Sequence, residues 1–167
     1  ENDFGQLGVG DNDDRNAPTQ VLLPAGATPI SINAGGHTTC VILNNGTGLC
    51  WGKSDYGHLG DGTYNNRNEP TPISILPSNR SLVAMDLGAG HACGILDDGS
   101  AHCWGNGTFS SGESGGRLGD GSNESSRFPR SVSLPSGRNA ISIDVGVDHT
   151  CAILDDSSAV CWGLNEE

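Results

Sequence analysis

The stretch His91–Gly105, HACGILDDGSAHCWG, decides how the chain is read. Nine residues separate Cys93 from Cys103, an Asp-Asp-Gly sits midway, and Trp104 follows the second cysteine directly. The chain writes the phrase twice more. Thr38–Gly52 is TTCVILNNGTGLCWG, and His149–Gly163 is HTCAILDDSSAVCWG. The tryptophans at 51, 104 and 162 give periods of 53 and 58. Periods on that scale mark repeated supersecondary units such as propeller blades.

Read as a hairpin, the phrase has the three-residue loop Asp97-Asp98-Gly99, a type I turn closed by glycine in the left-handed conformation. Counting outward from the loop, Cys93 falls opposite Cys103 at a non-hydrogen-bonded pair. Such pairs bring side chains closest, which suits a disulfide. The same count sets Cys40 opposite Cys50 and Cys151 opposite Cys161, with Ser157 taking the glycine's place under strain. Three disulfides are expected, each closing a small loop and contributing about 2 kcal/mol. They imply an oxidising compartment. A competing reading is zinc, held by His91, Cys93 and Cys103, and again by His149, Cys151 and Cys161. Against it, the cysteines lack the C-x2-C spacing of a zinc knuckle, and Thr38 stands where the other two repeats have histidine. His91 and His149 are instead expected to hydrogen-bond neighbouring backbone.

Two more motifs keep the same phase. FGQLGVGD begins at Phe4, YGHLGDGT at Tyr56 and GRLGDGS at Gly116; APTQVLLP, EPTPISILP and FPRSVSLP follow them. From Leu7, Leu59 and Leu118 to the next cysteine the chain runs 33, 34 and 33 residues. The variable length lies after the tryptophan, in the polar insert Asn106–Gly116, which reads as a surface loop. Each unit offers four short strands separated by Pro, Gly, Asn and Asp; in the second they are expected near Thr71–Leu76, Leu82–Leu87, His91–Leu96 and Ser100–Gly105. No window carries a helical stripe. The expected fold is all-β, with one four-stranded antiparallel sheet per repeat. Residues 1–167 form a single repeat-built segment, with units of about 1–52, 53–105 and 106–163, and with 164–167 starting another. Stacked units bury their apolar faces only against neighbours, so further repeats of the same chain or other subunits are expected at the open faces.

Composition narrows the function. Eight Lys and Arg face twenty Asp and Glu, for a net charge of −12. That argues against nucleic acid as a direct partner and against an anionic membrane surface. No apolar run has the length of a membrane span.

The motifs Gly-x-x-His-Thr-Cys-Ala-Ile-Leu, Asp-Asp-Gly, Cys-Trp-Gly and Gly-Gln-Leu-Gly-x-Gly resemble the repeats of the regulator of chromosome condensation family, over essentially the whole chain. The resemblance implies a β-propeller, commonly seven-bladed. It implies that Trp51, Trp104 and Trp162 pack between blades, as do Leu7, Leu59 and Leu118. The founding member exchanges nucleotide on a GTPase and binds chromatin; secreted relatives bind proteins through a propeller face. The cysteine pairs and acidity fit the secreted branch. The expected function is therefore a non-enzymatic extracellular module, structural or protein-binding, with an unidentified protein partner. An intracellular exchange factor or chromatin regulator, and a secreted enzyme inhibitor, are the alternatives.

No catalytic set, cofactor site or metal site is read from the sequence. Asp97, Asp98, Asp155 and Asp156 look like paired acids but sit at solvated hairpin tips, poor places to raise a pKa. Asp11, Asp13 and Asp14 lack the spacing of a calcium loop and read as an Asx-rich turn. Four Asn-x-Ser/Thr sequons, at Asn106, Asn123, Asn45 and Asn79, lie in expected turns or loops and are candidate glycosylation sites, Asn106 first.

Overall fold

A computed structural model describes residues 1–167 except 75, 78, 109–114 and 166–167. Much of the Asn106–Gly116 insert therefore lies outside the described residues. Every regular element described is a strand. The order is β1 (Pro29–Gly35), β2 (Thr38–Leu43), β3 (Gly48–Gly52), β4 (Arg67–Pro72), β5 (Leu82–Leu87), β6 (His91–Leu96), β7 (Ala101–Gly105), β8 (Ser126–Ser131), β9 (Ala140–Val145), β10 (His149–Leu154) and β11 (Ala159–Gly163). They form three antiparallel sheets, β1-β2-β3-β4, β5-β6-β7-β8 and β9-β10-β11, stacked in chain order as consecutive propeller blades.

The fourth strand differs from the sequence expectation in place and allegiance. The strand expected near Thr71–Leu76 is Arg67–Pro72, and it pairs with β3 of the first sheet rather than with β5 of the second. Each outer strand thus comes from sequence beyond the tryptophan of its own sheet. The reason is chemical. Pro72 cannot donate to a ladder, which ends β4 there, and an outer edge tolerates the prolines at 70 and 72.

The hairpin loops follow the expected turn chemistry. Gly99 donates its N–H to the Leu96 carbonyl, and Leu96 donates to Ser100, closing the ladder. Gly46 and Gly99 have φ of 78° and 80°, and Ser157 takes the same conformation at 69°. The second Asp of each tip braces its turn. Asp98 and Asp156 accept hydrogen bonds from the backbone and hydroxyl of Ser100 and Ser158. Those bonds hold both carboxyls below their usual pKa. Arg80 and Arg138 pair with these tips from neighbouring loops.

The register sets Cys40 opposite Cys50, Cys93 opposite Cys103 and Cys151 opposite Cys161, and each pair is bonded with Cα atoms 4.1 Å apart. No thiolate is left on them for zinc. Alternation along β2 and β6 sends each disulfide toward the next sheet. Cys40 and Cys50 pack with Leu82, Leu87, Leu96 and Trp104; Cys93 and Cys103 pack with Val145, Ala152, Leu154 and Leu118. Both faces of β6 and β7 are covered, so these strands are buried at every residue. That accounts for apolar residues at consecutive positions rather than alternate ones.

Each tryptophan faces the other way and meets the Gly-x-Leu-Gly motif. The indole N–H groups of Trp51, Trp104 and Trp162 donate to the carbonyls of Gln6, His58 and Arg117 at 2.9, 3.0 and 3.0 Å. The following glycines, Gly8, Gly60 and Gly119, lie flat on the rings; a Cβ there would come within 2.6, 2.8 and 2.7 Å of the indole nitrogen. Leu59 and Leu118 are fully buried beside Trp104 and Trp162, whereas Leu7 is half-buried.

Polar contacts repeat across the stack. Asp86 accepts from the Asn33 side chain of the first sheet and from the Val145 N–H of the third, at 3.1 and 2.8 Å. His91 is buried, and its Nε2 lies 2.9 Å from the Thr150 hydroxyl of the next sheet. The partner is a side chain, not the backbone expected from sequence, and His149 is exposed. Burial holds the His91 pKa down to about 3, with the charges of Arg117, His58 and His149 acting in the same sense.

These contacts can be tested one at a time. Ser157→Gly relieves the left-handed strain and raises unfolding stability by about 1 kcal/mol, read as a higher urea midpoint; an unchanged midpoint counts against strain at this turn. Cys151 is half-buried and Cys161 exposed, whereas the other four cysteines are inaccessible. Mild reduction with alkylation therefore labels Cys151 and Cys161 first, as peptide mapping would show; simultaneous labelling of all six contradicts it. His91 has an ordinary pKa of 6.5 and a folded value of about 3. The unfolded chain binds the proton first, so this contribution to stability is complete above about pH 6.5 and declines as pH falls toward 3. Between about pH 7 and 4.5, His91→Gln should show a flatter melting-temperature profile than the parent.

Candidate functional site

The turns at one end of the stack come together. They are the β1–β2 turn at Gly36-His37, the β5–β6 turn at Gly88–Gly90 and the β9–β10 turn at Gly146–Asp148. The residue following each third strand fixes the chain to its turn: Lys53, Asn106 and Leu164 donate N–H to the carbonyls of His37, Gly90 and Asp148, each at 2.8–2.9 Å. The result is a groove of about 230 Å³ with Ala89 and Gly90 among its lining residues.

One side of the groove is aromatic and basic. His37 packs against Phe4 with centroids 5.0 Å apart, and Lys53 Nζ lies 4.7 Å from the Phe4 ring while pairing with Asp55 at 3.2 Å. Tyr56, exposed, stands 5.8 Å from the His58 ring. On the other side Arg117 is buried, donates to the Thr108 carbonyl at 2.8 Å and pairs with Asp148, beside the exposed Val147. Burial lowers the pKa of His58, against a hydrogen bond with the Lys53 backbone and the nearby Asp55 charge. Its Nε2 has no hydrogen-bond partner among the described residues. The groove thus offers imidazoles, a guanidinium, an ammonium and a phenol around a small floor.

No motif in the sequence marks this groove as a unit. The signal lies in the variable position of Gly-x-Leu-Gly. Gln6, His58 and Arg117 occupy it, their carbonyls serving the tryptophans while the side chains of the latter two turn to the groove.

The sequons occupy different settings. Asn106 is half-buried at the groove, its Oδ1 accepting from the backbone and hydroxyl of Thr108 and from Ser125. Asn45, Asn79 and Asn123 are exposed. In the aspartate run, Asp11 pairs with Arg15 and accepts the Asp13 N–H, while Asp14 accepts the Asn2 N–H. Asn2 in turn donates to the carbonyls of Asp11 and Asp13, so the run is tied up as a turn.

Two sheet faces are open. The outward face of the first sheet carries an apolar groove of about 420 Å³ around Val21, Leu23, Ile30, Ile32 and Trp51. The outward face of the third exposes His149, Cys161 and Ile153.

Comparison with known proteins places this architecture. The ultraviolet-B receptor UVR8 of Arabidopsis thaliana is 30% identical over 95% of the chain, and the chain spans 35% of that receptor. The human E3 ubiquitin-protein ligase HERC2 is 29% identical over 98% of the chain, which spans only 3% of the ligase. Among solved structures, Prp20p of Saccharomyces cerevisiae, studied for its binding to Gsp1p and histones, superposes with a TM-score of 0.81 at 23% identity. The superposition covers 98% of this chain and 40% of that one. The ectodomain of the Physcomitrella patens receptor kinase CR4 superposes with a TM-score of 0.58 at 19% identity, covering 91% of this chain and 34% of that one. The profile of the regulator of chromosome condensation (RCC1) repeat matches residues 1–42, 45–95 and 98–153. With its sheets, tryptophans and glycine motifs in that phase, the chain belongs to the RCC1-repeat family of β-propellers.

Proposed function

We propose that the chain is a non-enzymatic, extracellular protein-interaction module that presents its turn face to a protein partner. The observation that carries the reading is the set of three disulfides closed at the same ladder position in successive blades. Such bonds persist in oxidising compartments and are rare where thiols are kept reduced. The acidic charge of −12 and the exposed sequons at Asn45, Asn79 and Asn123 agree with life outside the cell. The same fold serves as the ectodomain of plant receptor kinases.

Binding fits the groove better than chemistry does. Its side chains are held by hydrogen bonds and ring contacts, so a partner loses little by ordering them. Tyr56 and Val147 give it an exposed apolar rim. The open outer faces of the first and third sheets are where further blades of this chain, or another subunit, would seat. The alternative of an intracellular exchange factor or chromatin regulator takes its support from Prp20p and its binding to Gsp1p and histones. The disulfides count against it.

Affinity capture from the extracellular fraction of the source, with the parent chain and with a Tyr56→Ala/Val147→Ser variant, tests the binding reading. A specific partner should lose at least about tenfold in affinity with the variant, because aromatic contacts dominate such interfaces. Equal binding by both proteins removes the groove from the interface. Free thiols in the native protein, detected by alkylation before reduction, would overturn the extracellular assignment.

A further inference from the structure

Seven of the eight Lys and Arg side chains have a carboxylate partner: Arg15, Lys53, Arg67, Arg80, Arg117, Arg130 and Arg138. Arg127 is the exception among the described residues. It is exposed at the second position of β8, the outer strand of the second sheet. Two aromatic rings hold it instead. Its guanidinium carbon lies 5.2 Å from the Tyr64 ring and 5.3 Å from the Phe128 ring. Tyr64 is 52% exposed.

The contact by which β8 joins the fold at Arg127 uses its backbone, not its side chain. The glycine motif packs on the backbone of the outer strand in both complete blades. Gly62 donates to the Arg127 carbonyl at 3.1 Å, and Gly10 donates to the Asn68 carbonyl at 3.0 Å. A Cβ on Gly57 would strike Arg127 Cα, and one on Gly5 would strike Asn68 Cα. Asn68 and Glu69 therefore hold the places of Arg127 and Phe128 one blade earlier. There the side chain serves the frame, Asn68 donating to the Gly10 carbonyl at 3.0 Å. The second blade makes the same backbone contact and leaves the Arg127 side chain exposed, with the half-buried Phe128 ring against Gly62.

We propose that Tyr64, Arg127 and Phe128 form a docking hot spot for an acidic segment of a protein partner, whose Asp or Glu carboxylate takes the Arg127 guanidinium. The inference rests on the protein-binding reading above and gives it a second, chemically defined contact. In so acidic a chain, a solvent-facing cation without a carboxylate partner among the described residues is the complement of an acid supplied from outside. The flanking rings orient the planar fork for bidentate pairing. Tyr and Arg are the residues that most often dominate interfaces. Pro129 in β8 lacks an N–H, so a partner meets this edge through side chains rather than as an added strand.

The test selects a displayed random-peptide library on the immobilised parent chain and measures the recovered peptides on variants. Peptides rich in Asp and Glu are expected, with affinity falling at least about tenfold for Arg127→Ala and for Tyr64→Ala. Arg127→Lys should fall between, because it keeps the charge without the planar fork. Melting temperatures should stay close to the parent's, separating lost binding from lost fold. Selected peptides without acid, acidic peptides indifferent to Arg127→Ala, or no selected peptides overturn the hot spot. So does Arg127-dependent binding of labelled oligouridylate in place of peptide. Peptides that depend on Tyr56 and Val147 but not on Arg127 overturn this inference while leaving the protein-binding reading in place.

Discussion

Everything in this molecule is hung on the contact between an indole and a glycine-bearing loop. Trp104 has no exposed surface, and its one polar group would be costly to bury unpaired. The β3–β4 loop of the preceding sheet supplies both needs at once. The His58 carbonyl takes the indole proton, and Gly60 presents a face with no Cβ to the ring. The two requirements fall on residues two apart, which fixes the motif. They also fix where one sheet lies against the next, because loop and ring belong to different sheets. Trp51 with Gln6 and Gly8, and Trp162 with Arg117 and Gly119, repeat the device.

The disulfides work from the opposite face. Those of the first two sheets point toward the sheet that follows, so each inter-sheet layer contains a cystine from one side and a tryptophan from the other. The apolar fraction of the sequence is 34%, which leaves few large side chains for the two such layers. Cross-links within each hairpin keep the strands in register without demanding more hydrophobic bulk. The polar bridges at Asp86 and at His91 add direction to layers that are otherwise shape-driven.

How much of this is legible in the sequence depends on whether the information is periodic. The hairpin count around Asp97-Asp98-Gly99 gives the cysteine register because strand pairing is arithmetic once the turn is fixed. The all-β class, the repeat and the blade stack follow from the same periodicity. The outer strand escapes such a reading because Arg67–Pro72 has no alternation of apolar residues and a single β-branched residue, Thr71. It is strand by virtue of its neighbour, and tertiary context overrides propensity there. The groove is invisible for a different reason. His37, Lys53, His58 and Arg117 are brought together by turns from separate repeats, and nothing in local spacing announces it. Arg127 is hidden likewise, since its meaning lies in the lack of a carboxylate across space among the described residues.

The placement of the fourth strand has a consequence for how such a chain can be inherited. Sequence repeats run from tryptophan to tryptophan, but the sheet of the first tryptophan is completed by β4, which belongs to the following repeat. The unit of duplication and the unit of folding are therefore out of step. A repeat deleted whole removes an edge from one blade and the inner strands of the next, and the junction heals only if the repeat that then follows carries a compatible outer strand. Lineages built this way should vary freely in loops such as the insert after Trp104. They should hold the edge strand and the glycine motif as a joint between generations of blades.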